Sequence, residues 1–133
     1  MAARAFKRGE AFPNEDFVQG AIERHFAELG FKLLSGTHAD LECEHPTSRE
    51  RWLVEAKGLT SAVGLDFRTG LGQLLQRMHE PSTHYGVAVP DIPQFRSQCA
   101  QVSPRVRELL GVHWLFVTSE GLVRVVGPTE QLE

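Results

Sequence analysis

Trp52-Leu53-Val54-Glu55-Ala56-Lys57-Gly58 is the stretch on which the fold turns. An aromatic and two aliphatic residues, then Glu-Ala-Lys-Gly, read as a buried central strand that ends on two charges. Side chains alternate along a strand, so Glu55 and Lys57 share one face and Ala56 takes the other. Upstream, residues 39–44 alternate as a second strand, and His45-Pro46-Thr47-Ser48 reads as the hairpin turn between the two. Antiparallel pairing sets the start of one strand beside the end of the other. Asp40 therefore belongs at the Glu55–Lys57 end.

Working outward, residues 14–29 read as a helix opened by Pro13 or Asn14 and stopped by Gly30, with Val18, Ile22, Phe26 and Leu29 as its apolar stripe. Residues 31–34 read as a short strand. A second helix is expected over 66–79, with Leu71, Leu74, Leu75 and Met78 facing the core. Residues 85–89 form a buried strand stopped by Pro90. A helical region between 92 and 110 is interrupted near Pro104, and strands at 114–117 and 122–126 close the chain as a hairpin around Ser119-Glu120-Gly121. Hairpin-joined strands followed by a helical crossover predict a mixed central sheet flanked by helices, an α/β fold.

The 133 residues suit one domain, expected over 1–133 with 1–13 as a flexible N-terminal arm. The arm is basic but has no apolar segment of the secretory kind. No apolar run reaches the roughly 20 residues of a membrane span. Two cysteines, Cys43 and Cys99, are not motif-spaced and read as free thiols of a cytoplasmic protein. A net charge of −3 argues against a life of non-specific electrostatic binding to DNA. It leaves room for a metal site, which needs carboxylates. The arginines are scattered, and only folding could gather them on one face.

The chemistry lies at the end of the third strand. The Asp40 and Glu55 carboxylates and the Ala56 backbone carbonyl are the hard oxygen ligands that Mg²⁺ or Mn²⁺ takes. Lys57 beside them can orient or help deprotonate an attacking water, or support charge on a phosphate. Glu-x-Lys alone is weak, since ordinary composition produces it about once in 280 positions. Its place at the end of a central strand, opposite Asp40, is what gives it weight. His38 is a candidate to touch substrate. His38, Asp40, Glu42 and Glu44 share a face but span roughly 20 Å, too far for one zinc ion. Glu42 and Glu44 read as solvated positions, and Trp52 and Trp114 as core. Gly70 and Gly72 follow no strand in nucleotide-cradle spacing and suggest close backbone approach instead.

With these residues the chain resembles the PD-(D/E)xK nuclease superfamily, the restriction-endonuclease-like fold shared with Holliday-junction resolvases and RecB-like exonucleases. The resemblance spans about residues 14–126. It rests on His38-Ala39-Asp40-Leu41, on Val54-Glu55-Ala56-Lys57-Gly58, and on Gly72-Gln73-Leu74-Leu75-Gln76-Arg77. Ala39 replaces the motif's proline. The resemblance implies an αβββαβ core plus a C-terminal hairpin and Mg²⁺-dependent hydrolysis of DNA. It makes Asp40 and Glu55 metal ligands, Lys57 the catalytic lysine and Gln73 a residue beside the site. Arg77 stands where a tyrosine is frequent in the RecB-like branch, and together with Arg68 becomes a candidate phosphate contact.

Many members add a carboxylate from the first helix. Glu15 and Glu23 are candidates, with Gln19 between them. Matching the roughly 20 Å climb of a strand over 31–37 takes about 13 residues of helix, which sets Glu15 and Gln19 level with Asp40 and favours Glu15. A homodimer or a partner nuclease subunit is a further expectation. Endonuclease, exonuclease, junction resolvase and nickase stay open at this point, as does DNA against RNA. The competing reading is a non-catalytic DNA-binding or assembly module of the same fold. A third is a ligand-binding domain with no nucleic-acid role.

Overall fold

The structure, a computed structural model, describes residues 11–132. Residues 1–10 of the expected arm lie outside the described part. Of the rest of the arm, Pro13 is docked: its carbonyl accepts from the Leu59 backbone N–H at 2.9 Å.

Helix α1 spans Glu15–Glu28. Glu15 and Asp16 in its first turn complement the helix dipole. It ends where Gly30 takes φ 93°, with Gly30 N–H bonded to Ala27 O (3.0 Å) and Phe31 N–H to Phe26 O (2.9 Å). That pair of bonds is a Schellman stop, which a glycine in the left-handed region allows. Strands β1 (Lys32–Leu33), β2 (Leu41–Glu44) and β3 (Arg51–Ala56) follow. Helix α2 (Val63–Leu75) crosses to β4 (Thr83–Pro90). Helices α3 (Pro93–Ala100) and α4 (Pro104–Leu110) lead to β5 (Val112–Val117) and β6 (Val123–Val126). The six strands lie in the order β1-β2-β3-β4-β5-β6. β3, β4 and β5 are mutually parallel, and the outer pairings are antiparallel. This is the mixed α/β architecture expected from the sequence, with β3 inside the sheet.

Two apolar layers sandwich the sheet. On one face Val18, Ile22 and Phe26 of α1 pack on Leu41, Val54, Ala56, Ala88 and Leu115. On the other, Phe67, Leu74, Phe95 and Cys99 of α2 and α3 pack on Leu53, Val87, Val89, Trp114 and Phe116. Cys43 and Cys99 are free, buried, and on opposite faces. Burial pushes both thiols up to about 12, so neither is a ready nucleophile.

Several boundaries differ from the sequence reading. β1 is two exposed residues rather than four: at the sheet edge it pairs with β2 alone, although Leu34 N–H still reaches Glu42 O at 2.8 Å. α2 begins three residues earlier than expected and ends four earlier. Its end is set by Arg77, whose guanidinium bonds the Gln73 carbonyl at 3.0 Å and satisfies a last-turn acceptor from outside the helix. The break near Pro104 yields two helices. Ser103 accepts from Val106 N–H at 3.2 Å as N-cap of α4, and Gly111 ends that helix at φ 70°.

Folding does not gather the arginines. Arg49 and Arg51 pair with Glu44 and Glu42, and Arg96 pairs with Asp91. Arg107 is buried under the C-terminal segment, and Arg124 stacks on Phe116. Glu42 and Glu44, expected to be solvated, are half-buried partners of that ion-pair group. No described helix is long and apolar enough to cross a membrane.

Candidate active site

β3 delivers Glu55 to the α2 face of the sheet, where only 2% of the residue is exposed. Asp40 stands one residue before β2 begins, slightly ahead of the expected strand position. Its Oδ2 accepts from the Ala56 backbone N–H at 2.8 Å. That bond fastens the Asp40 loop to the end of β3 and aligns the two carboxyls. They lie close enough for a hydrogen bond between them when one is protonated. Within a strand the N–H and C=O of one residue leave on the same edge, so the Ala56 carbonyl is also directed toward Asp40.

Burial pushes the Glu55 carboxyl up to about 7, with the Asp40 charge adding to it and Arg77 and Lys57 opposing. Among the described residues its Oε2 is buried without a hydrogen bond. Arg77 Nη1 approaches it at 3.2 Å as a charge partner, off hydrogen-bonding alignment. Arg77 Nη2 also bonds the His38 carbonyl at 3.0 Å. One guanidinium therefore ties together Glu55, the end of α2 and the loop carrying Asp40. Arg77 has internal company where the sequence suggested a phosphate contact.

Lys57 follows directly. Its N–H bonds Ala88 O at 2.9 Å, extending the β3–β4 ladder one step. Its aliphatic stem lies against Gly70 of α2: a Cβ there would sit 3.0 Å from both Cγ and Cε of Lys57. The close approach expected at Gly70 is thus made by a lysine from the sheet. Among the described residues the Lys57 ammonium has no ion-pair partner.

Gly58 does a similar service for α1. A Cβ at Gly58 would overlap the backbone nitrogen of Glu15 and sit 2.5 Å from its Cα. Only a glycine lets the helix start that close to the end of β3. Glu15 is therefore brought beside the site. Its surroundings desolvate the carboxyl and raise its pKa, against the pull of Lys57 and with the push of Asp40, Asp16 and Asp66. Gln19, one turn on, donates to the Asp40 carbonyl at 2.6 Å and to Glu23 Oε2 at 2.9 Å. Gln19 is level with Asp40, as expected, while Glu23 is held one turn further along. The reason differs from the sequence argument: β1 is too short to set the height, and the Gly58 contact sets it.

Gln73 stands on α2 between the residues that touch Lys57 and Glu55. Among the described residues its amide makes no protein hydrogen bond. The Arg68 guanidinium lies over Gly64 and beside Gln98, on the α3 side of α2. The sequence reading missed Asp66. It accepts from the Thr60 hydroxyl and adds to the negative field on Glu15. Its only sequence signal is an acid in a helix's first turn.

Among the described residues, no three His, Cys, Asp or Glu side chains converge as a metal cage. The Asp40–Glu55 pair fits a different ligand type. Mg²⁺ takes one or two carboxylates and completes its octahedron with water and substrate oxygens. A buried Glu55 carboxyl with one unbonded oxygen, beside an Asp40 carboxylate open to solvent, suits such an ion.

No family model matches the chain, and no curated protein matches it. Among solved structures, an XisH family protein from Nostoc punctiforme superposes with a TM-score of 0.59 at 16% identity, over 80% of this chain and 95% of that one. The fold common to the two is restriction-endonuclease-like, the class that the sequence resemblance implies.

Proposed function

We propose that the chain is a metal-dependent deoxyribonuclease. The observation that carries this reading is the buried Glu55 carboxyl beside the solvent-facing Asp40, with Lys57 next to them. Asp40, Glu55 and the Ala56 carbonyl would hold Mg²⁺ or Mn²⁺. The ion, when bound, would supply Lewis-acid polarisation of the scissile phosphate and a more acidic water. Lys57, pinned along Gly70, presents its ammonium beside the carboxyls, where it orients the attacking water and offsets charge on the phosphate. Glu15, brought beside the site by the Gly58 contact, would be the first-helix carboxylate of the reaction. Gln73 offers an unclaimed amide to the same space. Arg77 holds Glu55 and the Asp40 loop in register.

The test compares wild type with Lys57→Ala on plasmid, linear and branched DNA, with Mg²⁺, Mn²⁺ or EDTA. Wild type should cut only with the cation, and the variant should be at least about a hundred-fold slower. Absence of cation-dependent cutting on every substrate sinks the enzyme reading. The non-catalytic DNA-binding module would then be favoured by retained, cation-independent binding. Gel filtration and light scattering test the expected homodimer.

A further inference from the structure

The sheet face that carries Glu55 is not roofed along its whole length. α2 ends at Leu75, and beyond that end a cavity of about 600 Å³ opens against β3 and β4. Leu53 and Tyr85 form its floor, His38 and Ala39 line one side, and Arg77 and His79 the other. Leu53 is two residues before Glu55 on the same face, and His38 is two before Asp40. The guanidinium of Arg77 touches Glu55 and lines the cavity as well. The cavity therefore begins where the phosphodiester site ends.

Its chemistry favours a flat body with apolar faces and polar edges. The floor residues are 8% and 6% exposed, and the Tyr85 hydroxyl is already matched, accepting from Glu80 N–H at 3.0 Å and donating to Glu80 O at 3.1 Å. Two imidazoles and the Gln76 amide supply edge contacts. The cations lining the cavity are matched internally, Arg77 by Glu55 and Arg51 by Glu42 and Glu44. A free phosphate would find little unclaimed charge there. A nucleobase needs none. The volume lies within the roughly 300–1,000 Å³ of small-molecule sites.

We propose, resting on the nuclease reading above, that this cavity receives an unpaired nucleobase next to the scissile phosphate. A paired base is stacked and cannot reach a floor set beyond the end of α2. An unpaired one enters without the few kcal/mol that unstacking costs. The substrate class is then DNA with a single-stranded, gapped or extruded nucleotide at the cut.

Binding without cleavage separates the two readings. Isotope-labelled protein in EDTA is titrated with a short oligothymidylate, and separately with the same strand in a blunt duplex with oligodeoxyadenylate. Amide shifts at Leu53, His79 and Tyr85 are expected with the single strand, at about ten-fold higher affinity than for the duplex. Thr83→Trp, which places an indole in the cavity, and His79→Ala, at an exposed position, should each erase most of that preference. Equal affinity for both forms, or single-strand shifts that avoid these residues, overturns the proposal. Cation-dependent cutting without cavity shifts refutes the base site alone. Cavity shifts without cutting refute the nuclease reading alone.

Discussion

Glu55→Gln should stabilise the metal-free protein at neutral and alkaline pH while removing its response to divalent cations. Glu55 is 2% exposed, and its carboxyl is pushed from 4.5 up to about 7, first by burial and then by Asp40. At about 1.4 kcal/mol per pH unit, that gap corresponds to roughly 3 kcal/mol. The folded state keeps the Glu55 proton to higher pH than the unfolded chain does. The associated stability is complete below about 4.5 and is lost as pH rises through about 7. Glutamine has the same shape and no charge to desolvate. The stability difference between variant and wild type should therefore change by roughly 3 kcal/mol between pH 4 and pH 8, on the order of 10 °C in Tm. Groups that titrate alike in both proteins cancel in the difference. Urea unfolding in EDTA, followed by the fluorescence of the buried Trp52 and Trp114, measures it. Adding Mg²⁺ at pH 8 should restore stability to wild type and leave the glutamine variant unmoved. A difference that stays flat from pH 4 to pH 8 refutes the burial of the Glu55 carboxyl. Equal stabilisation of both proteins by Mg²⁺ refutes Glu55 as a ligand.

Gly70→Ala separates site geometry from stability. It relieves a helix-interior glycine worth up to about 1 kcal/mol, yet its methyl presses on the Lys57 stem, so cutting should drop while the urea midpoint holds or rises. Gly58→Ala should do both kinds of harm, because the methyl overlaps the Glu15 backbone; a loss of about 2 kcal/mol or more in urea unfolding is expected, with activity falling alongside. Arg77→Ala removes a cation that lowers the Glu55 pKa, so the acid limb of the rate–pH profile in Mg²⁺ should move to higher pH; an unmoved limb would show that the ion pair does not govern Glu55. Lys57→Ala should abolish cutting yet keep stabilisation by Mg²⁺, read by thermal unfolding, since the carboxyl pair is untouched.

Much of this arrangement is legible in short-range pattern. The apolar run into Glu55, the alternation of residues 39–44 and the turn between them dictate an antiparallel pair. Pairing alone brings Asp40 to Glu55, because a hairpin leaves no freedom over which ends meet. Gly30 and Pro104 announce a helix end and a helix break, because such signals are a matter of a few consecutive residues. The extent of β1 and the end of α2 were not legible. One depends on how far an edge strand pairs with its single neighbour, the other on a guanidinium two residues past the helix that reaches a loop far upstream.

The sequence by itself determined the chemical inventory, the strand that carries it and the class of fold, since these follow from periodicity and local turns. Only the tertiary structure decided how the inventory is held. It seats α1 on Gly58 and so brings Glu15 in, runs Lys57 along Gly70, and turns Arg77 inward to Glu55. It also leaves a cavity beyond α2 that no local pattern announces. The physical reason is common to all four. Each is a contact, or a gap, between elements far apart in the chain, set by how closely two backbones approach, and a linear pattern carries no measure of that distance.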